Sequence, residues 1–125
     1  MAEILVVEDD ASMRKLLTVF LRDMGHNVRT AAAGRAGLEE AIRAVPQVII
    51  LDINLPDMSG YDVARTLRRN NTTASTKIVA LTGRTEIEDY QEAKSAGCDG
   101  FLAKPVTADQ LAEKLKLLLM LKSSA

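Results

Sequence analysis

The feature that most constrains this sequence is a short, wholly apolar segment at residues 48–51 that runs directly into Asp52. Three of its four residues are β-branched, which favours a strand. A segment this short and this uniformly apolar predicts a strand buried on both faces, as in the middle of a parallel sheet. Pro56 prevents its continuation, and Gly60 opens the next segment. Asp52 is therefore expected at the carboxyl end of a central strand, the edge where open α/β sheets bind ligands.

Strand-like and helix-like segments alternate five times along the chain. Residues 4–7 and 78–81 are two further apolar strands, whereas 26–31 and 100–103 are weaker ones. The alternation predicts an α/β fold, a doubly wound five-stranded parallel sheet with right-handed crossovers and helices on both faces. The three most apolar strands should be central and the two weaker ones should lie at the edges, which the order 2-1-3-4-5 satisfies. Its switch point lies between strands 1 and 3, so Asp9 and Asp52 should border one crevice.

The pattern also predicts details of the helices. Asp10 or Ser12 should cap the first helix, and capping boxes at 85–88 and 107–110 should open the fourth and fifth. The second helix, about Arg35 to Ala44, should direct four apolar residues inward: Leu38, Ala41, Ile42 and Val45. The third helix carries three arginines that should form a solvated face: Arg65, Arg68 and Arg69.

The last helix is more apolar than one buried face requires. Four leucines, namely Leu111, Leu115, Leu118 and Leu119, suffice for packing on the sheet. Three apolar residues are then left over: Leu117, Met120 and Leu121. They indicate either extra core or a partner surface, including a phosphorylation-dependent homodimer.

Composition narrows the class of protein. The 125 residues predict a single domain, 1–125, and 47% hydrophobic with 26% charged residues is ordinary for a soluble globular protein. The net charge of −1 predicts no direct binding to nucleic acid or to a membrane. No apolar run reaches the roughly 18 residues that a membrane span needs. The single Cys98 fits a reducing compartment, and a cytoplasmic location is expected.

The residues that follow the predicted strands form one chemical set. Glu8 and Asp9 follow the first strand, Asp52 ends the third, Thr82 ends the fourth and Lys104 follows the fifth. Clustered carboxylates repel each other unless a cation neutralises them, and hard oxygen ligands suit Mg²⁺. A lysine is a common partner of phosphate. Because a carboxylate can itself be a nucleophile that forms an aspartyl phosphate, Asp52 is the natural candidate.

Four motifs together carry a resemblance over essentially the whole chain. They are residues 4–9, Asp52 through Pro56 with Gly60, Thr82-Gly83, and Lys104-Pro105. With these motifs the chain resembles the response-regulator receiver domains of two-component systems, in particular the single-domain, chemotaxis-regulator-like ones.

The resemblance implies a role for each matching residue. Asp52 would be the phosphoacceptor, receiving a phosphoryl group from a histidine kinase or a histidine phosphotransfer protein. Mg²⁺ would be bound by Glu8, directly or through water, by Asp9, by Asp52 and by the main-chain carbonyl of Asn54. Lys104 would pair with the phosphoryl oxygens.

The resemblance also implies how the site would switch an output surface. The Lys104–Pro105 peptide would be cis, and Gly83 would leave the approach to the phosphoryl group open. Thr82 would turn inward to the phosphoryl group, and Phe101 would follow. The surface of the fourth helix, fifth strand and fifth helix would then bind an output protein. The family often has Tyr where Phe101 stands, so a readout through that hydroxyl is not available here.

Other readings of the function remain open at this stage. The chain could be a receiver from a larger hybrid kinase or a DNA-binding regulator. It could be a Mg²⁺-dependent phosphohydrolase that uses Asp52, although the position two residues later is Asn54 rather than a second acid. It could also be an interaction module whose acids do not react. As a receiver it is expected to be no enzyme beyond its own phosphorylation and dephosphorylation at Asp52.

Overall fold

The computed structural model describes residues 2–83 and 86–120. Strands and helices alternate along these residues, as the following bounds give: β1 (Glu3–Val7), α1 (Ala11–Asp23), β2 (Asn27–Ala31), α2 (Gly34–Arg43), β3 (Val48–Asp52), α3 (Gly60–Arg69), β4 (Lys77–Thr82), α4 (Ile87–Ser95), β5 (Gly100–Ala103) and α5 (Ala108–Met120). Within this part of the chain, every helix is too short or too polar to span a bilayer.

The strands form one parallel sheet in the order β2-β1-β3-β4-β5. This confirms both the fold class and the predicted order. Every residue of β3 is buried, as expected for a central strand. Val7 is in register with Leu51 across the switch point, so the residues that follow β1 and end β3 emerge side by side.

Two apolar layers cover the sheet, one on each face. On one face α1 and α5 pack against alternate strand residues such as Val6 and Ile50. On the other face α2 and α3 pack against the intervening residues, such as Leu5 and Ile49. Burial of each such side chain contributes roughly 1.5–3 kcal/mol. The two layers therefore fix β1 and β3 in the middle of the molecule, with their polar ends at one edge.

Most of the predicted helix ends are confirmed. Asp10 caps α1 by accepting hydrogen bonds from the N–H groups of Ser12 and Met13 at 2.9 and 3.3 Å. Thr107 and Gln110 form the capping box before α5. The α4 box was predicted one residue too early. Glu86 is the N-cap there and its N–H donates to Asp89, whereas Thr85 lies outside the described residues.

The buried face of α2 differs from the prediction. Ala41 is buried, but Ile42 and Val45 are each 46% exposed. Leu38 is half-buried and packs against the core, as predicted. The helix comes closest to the sheet at Gly37, where a Cβ would lie 2.8 Å from Val7 Cγ2. Periodicity favoured the larger side chains, whereas the close approach of the helix to β1 requires the smaller ones.

The arginine run on α3 is also only partly a solvated face. Arg69 is exposed, as predicted. Arg68 donates to the main-chain oxygens of Ala74, Thr76 and Gly97 and pairs with Asp99 at 2.7 Å. It therefore ties α3 to the loops that precede β4 and β5, which a local charge pattern cannot reveal.

On α5, the leftover apolar residues Leu117 and Met120 are 55% and 70% exposed, so they are not extra core. Leu119 is 38% exposed as well, so the predicted packing set was one residue too large. Leu121, the third predicted leftover residue, lies outside the described residues.

Candidate functional site

The acidic turn after β1 is held by main-chain contacts. The N–H of Glu8 donates to Ala31 on β2 at 3.0 Å, and this extends the β1–β2 pairing by one residue. The Glu8 side chain is fully buried, and its Oε2 accepts from the N–H of Asp10 at 3.2 Å. Asp9 is exposed. The turn thus presents one buried and one accessible carboxylate.

Asp52 ends β3 almost completely buried, with only 2% of its surface exposed. Its Oδ1 accepts a hydrogen bond from the main-chain N–H of Asn54 at 3.1 Å, which orients the carboxylate. The chain then folds back on the strand end, since Gly60 N–H donates to Ile53 at 2.8 Å. A Cβ on Gly60 would lie 2.3 Å from the Asp52 carbonyl oxygen, so this close return requires glycine.

The ends of β4 and β5 complete the site. Thr82 is 2% exposed and lies one residue beyond Leu81, the register partner of Asp52. The N–H of Lys104 donates to the Thr82 carbonyl at 2.8 Å, and the Lys104–Pro105 peptide is cis, as predicted. The Lys104 ammonium lies 2.8 Å from Glu8 Oε1 and 3.4 Å from Asp52 Oδ2.

Burial and the neighbouring charges shift the pKa values of this cluster in different directions. Burial, together with the neighbouring Glu8 carboxylate, raises the pKa of Asp52 to about 7. Burial also opposes ionisation of Glu8, but hydrogen bonds with Asp52 and Lys104 outweigh it and lower the pKa of Glu8. Burial of Lys104 is likewise outweighed by its two carboxylate partners, which raise its pKa. Asp52 is therefore the carboxylate of this cluster whose ionised form the fold disfavours.

The donor set fits a small, hard cation. Carboxylate oxygens of Glu8, Asp9 and Asp52 all lie within 4.8 Å of one another. Glu8 Oε1 is buried and lies 2.8 Å from the Lys104 ammonium. Carboxylate oxygens are hard ligands of the kind that Mg²⁺ prefers. Asp9 supplies the accessible side of the group.

The residues around the site leave space beside Gly83, at the end of β4. A Cβ placed on Gly83 would meet no heavy atom of the described residues within 4 Å, its chain neighbours apart. Phe101 is half-buried on β5, and its ring centroid lies 4.2 Å from that of Tyr90 on α4. Tyr90 is 49% exposed, so this ring pair connects the interior beside β5 to the surface.

The contacts of two residues near the site were missed from the sequence. Arg14 on α1 donates to the main-chain oxygens of Glu8 and Asp9 at 2.9 and 3.2 Å, and so ties the acidic turn to its own helix. Asp57 accepts from the N–H groups of Gly34 and Arg35, which are more than twenty residues away. The position of Arg14 one turn into the helix after the acids was a weak signal, whereas Asp57 gave none.

These features define an α/β protein with an acidic pocket at the carboxyl edge of its parallel sheet. One lysine pairs with two of the three carboxylates of this pocket. The sequence pattern of the family described as response regulator receiver domain matches residues 4–116. The chain belongs to this family.

Solved structures of similar proteins have the same fold. The chemotaxis protein CheY4 of Vibrio cholerae is 37% identical, with a TM-score of 0.90 over 94% of this chain and 98% of that one. The receiver domain of a Pseudomonas aeruginosa sensor histidine kinase is 29% identical, with a TM-score of 0.88 over 95% of this chain and 98% of that one. That structure has a magnesium ion coordinated in its active site cleft.

The curated relatives are longer proteins. The probable transcriptional regulatory protein TcrX of Mycobacterium tuberculosis is 34% identical over 93% of this chain and 49% of its own length. The cell cycle response regulator CtrA of Brucella ovis is 35% identical over 90% of this chain and 47% of its own length. The chain thus spans about half the length of these relatives.

Proposed function

We propose that this receiver domain is a phosphoacceptor, in which Asp52 takes a phosphoryl group from a histidine kinase or a histidine phosphotransfer protein. The observation that carries the proposal is the state of Asp52 itself. It is a buried carboxylate with a pKa of about 7, held beside two further acids and 3.4 Å from a lysine ammonium. A carboxylate that only caps a helix is usually exposed and accepts main-chain hydrogen bonds, whereas Asp52 is buried among other charged groups.

The proposed transfer uses groups that the chain already positions. An ionised oxygen of Asp52 attacks phosphorus, the bond from phosphorus to the donor breaks, and its electron pair leaves with the donor group. The Asn54 N–H holds Asp52 Oδ1, which leaves Oδ2 beside Lys104. The ammonium of Lys104 is then available to the phosphoryl oxygens as a point charge. Thr82 offers a hydroxyl donor at the end of the neighbouring strand.

We propose that Glu8, Asp9, Asp52 and the main-chain carbonyl of Asn54 hold Mg²⁺. When bound, the ion supplies positive charge that offsets the clustered carboxylates and the phosphoryl oxygens. Positive charge beside Asp52 lowers the pKa of its carboxyl and so enlarges the ionised fraction that can react. The fit of the cluster supports this assignment.

We further propose that phosphorylation is read out by the surface of α4, β5 and α5. The Thr82 hydroxyl bonding to a charged phosphoryl group would contribute roughly 1.5–3 kcal/mol, enough to shift a two-state equilibrium about ten- to a hundredfold. Phe101 connects the interior to Tyr90 on this surface through their ring contact. Partners are an upstream histidine kinase or phosphotransfer protein and a downstream output protein.

Two settings for the receiver are supported by different relatives. The match to almost the full length of CheY4 supports a single-domain regulator. The match to about half of TcrX and CtrA supports a receiver within a longer regulator. Mass measurement of the native gene product distinguishes the two settings.

We propose that the chain is not a multiple-turnover phosphatase. The nearest additional acid in the loop after β3 is Asp57, and both of its oxygens accept main-chain hydrogen bonds from α2. It is therefore engaged elsewhere and does not serve as a general acid or base beside Asp52. Sustained release of phosphate from p-nitrophenyl phosphate, at many turnovers per chain, would contradict this proposal.

The decisive experiment is intact-mass analysis after incubation with acetyl phosphate, with Mg²⁺ or with a chelator. The wild type should gain one phosphoryl group only with Mg²⁺, and Asp52→Ala should gain none. Asp62→Asn, which removes an exposed carboxylate on α3, is the matched control and should behave like the wild type. No adduct on the folded wild type under any condition would refute the phosphoacceptor role.

A further inference from the structure

The loop between β3 and α3, residues 53–60, is fastened to a different helix from the one it precedes. Asp57 Oδ1 accepts from Gly34 N–H at 2.7 Å, and Asp57 Oδ2 accepts from Arg35 N–H at 2.9 Å. These two N–H groups belong to the first turn of α2. Both carboxylate oxygens of an exposed residue are thus committed to one distant helix end.

The α2 helix depends on this contact because it has no cap of its own. Its N-cap residue is Ala33, which offers no side-chain acceptor. The first N–H groups of a helix lack partners within the helix, and a carboxylate there also interacts favourably with the helix dipole. These N–H groups hold the pKa of Asp57 below its usual range. The contact is therefore charge-assisted on the side of Asp57.

A second contact places the loop against the same point. A Cβ on Gly34 would lie 2.4 Å from Met58 Cγ and 3.1 Å from Val63 Cγ2. Because Gly34 has no side chain, Met58 packs directly on the backbone of α2 at this residue. The N–H of the same residue, Gly34, donates to Asp57. Polar and apolar contacts of consecutive loop residues converge on one helical turn.

The other end of the loop is fixed at Asp52. The N–H of Asn54 donates to Asp52 Oδ1, Asn54 forms an isolated bridge with Ser59, and Gly60 closes onto Ile53. The loop is consequently a short closed unit with two attachments, one at the candidate phosphoacceptor and one at α2. Loss of the two Asp57 hydrogen bonds would leave the loop attached to α2 only through the packing of Met58 on Gly34.

We infer that Asp57 is a positioning residue, which through its bonds to α2 fixes the 53–60 loop and thereby the Asn54 main chain beside Asp52. This inference rests on the proposed function, because the loop matters for chemistry only if Asp52 and Asn54 act on Mg²⁺ and phosphate. It assigns to Asp57 a role that is neither ligand nor nucleophile. The alternative is that Asp57 only stabilises α2.

The test compares Asp57→Ala, Asp57→Asn and a matched control. Asp57→Ala removes both acceptors, whereas Asp57→Asn keeps one. The control is Asp89→Ala, which removes the carboxylate acceptor at the start of α4, away from the loop. Three quantities are measured on each folded variant: Mg²⁺ affinity by titration of amide NMR shifts, the rate of phosphorylation by acetyl phosphate, and main-chain hydrogen exchange at Asn54 and Gly60.

A positioning role predicts a graded loss. Groups that orient metal ligands typically change metal affinity about 10–100-fold, and the more remote Asp57→Ala should weaken Mg²⁺ binding about three- to tenfold. Hydrogen exchange at Asn54 and Gly60 should accelerate without metal, and phosphorylation should slow in parallel with metal affinity. Asp57→Asn should fall between Asp57→Ala and the wild type, and Asp89→Ala should lower stability alone.

The other possible results separate failure of this inference from failure of the proposed function. If Asp57→Ala lowers only the melting temperature and leaves Mg²⁺ affinity and exchange at wild-type values, the inference is overturned and Asp57 is only a helix cap. If Asp57→Ala does not fold, the same comparison is made with Asp57→Asn. If the wild type binds no Mg²⁺ and takes no phosphoryl group, the proposed function fails. Unchanged exchange at Asn54 would then overturn the loop attachment too, whereas accelerated exchange would uphold it.

Discussion

The substitution Asp52→Asn should make the metal-free protein more stable at neutral and alkaline pH. The carboxyl is 2% exposed, and its pKa rises from 3.8 in the unfolded chain to about 7 in the fold. Burial is the main cause, and the nearby Glu8 adds to it. The folded protein therefore pays a free-energy penalty whenever Asp52 is ionised. Asn has nearly the same shape and carries no charge to desolvate.

The size of the effect follows from the pKa difference. Each pKa unit corresponds to about 1.36 kcal/mol, so the shift of about three units sets a ceiling of about 4 kcal/mol. The substitution also removes the charge that Lys104 faces at 3.4 Å, although the ammonium keeps Glu8 at 2.8 Å. The expected net gain in the free energy of unfolding is roughly 2–4 kcal/mol above pH 7.

The sign of the pH dependence is fixed by the same argument. Between the unfolded and folded pKa values of Asp52, the native state binds more protons than the unfolded state. The contribution of Asp52 to stability therefore falls as pH rises from about 4 to about 7, and the penalty is complete above that range. The difference between Asp52→Asn and wild type should be small near pH 4 and largest at pH 8.

The assay is urea unfolding followed by circular dichroism, in chelator, at several pH values. Asp62→Asn is the control, because its side chain is 58% exposed and its removal should change stability by no more than about 0.5 kcal/mol. An Asp52→Asn protein no more stable than wild type at pH 8 would refute the reasoning. Mg²⁺ should stabilise the wild type more than the variant, since a ligand stabilises the state that binds it.

Three further substitutions test individual contacts of the fold, one of them beside the site. Gly60→Ala places a Cβ 2.3 Å from the Asp52 carbonyl oxygen, so it should cost about 1–3 kcal/mol in urea unfolding and slow phosphorylation. Arg68→Ala removes donors to three carbonyl oxygens and should cost about 2–3 kcal/mol, whereas exposed Arg69→Ala should cost under about 0.5 kcal/mol. Burial lowers the pKa of His26, so stability should fall as pH drops below about 6.5, and His26→Gln should lose part of this dependence in pH-dependent melting.

Each of these predictions has a contrary outcome. A Gly60→Ala protein as stable and as quickly phosphorylated as wild type would show that the loop can move away from β3 at no cost. Equal losses for Arg68→Ala and Arg69→Ala would mean that the carbonyl contacts of Arg68 do not stabilise the fold. Identical melting profiles of His26→Gln and wild type across the acid range would exclude His26 as a source of pH dependence.

The fold was largely predictable because its signals are local and repeated. Short apolar runs such as residues 48–51, repeated between helical segments, are typical of strands that a parallel sheet buries on both faces. Caps such as Asp10 and the pair Thr107 and Gln110 bind residues within one helical turn, so they can be predicted from a few neighbouring residues. Helix faces were less certain, because α2 approaches the sheet closely at Gly37 and leaves Ile42 exposed.

The membership of the candidate site was also predictable, because strand ends converge wherever strands are parallel. Glu8, Asp9, Asp52 and Lys104 were each identified as residues at a strand end, and the structure brings them together. The roles of these residues in phosphoryl transfer stay proposals. Arg68 shows the limit of the approach, since its partners are set by loops that meet only in the folded chain.

The sequence by itself determined the order of the elements, which strands are central and the edge at which the acids gather, because periodicity and chain direction suffice for these. Only the tertiary structure decided that Asp52 is buried and charged at a cost, that Lys104 divides its charge between two carboxylates, and that Asp57 is bound to α2. Those properties depend on distances and burial between segments far apart in the chain, and such quantities exist only after the sheet has assembled.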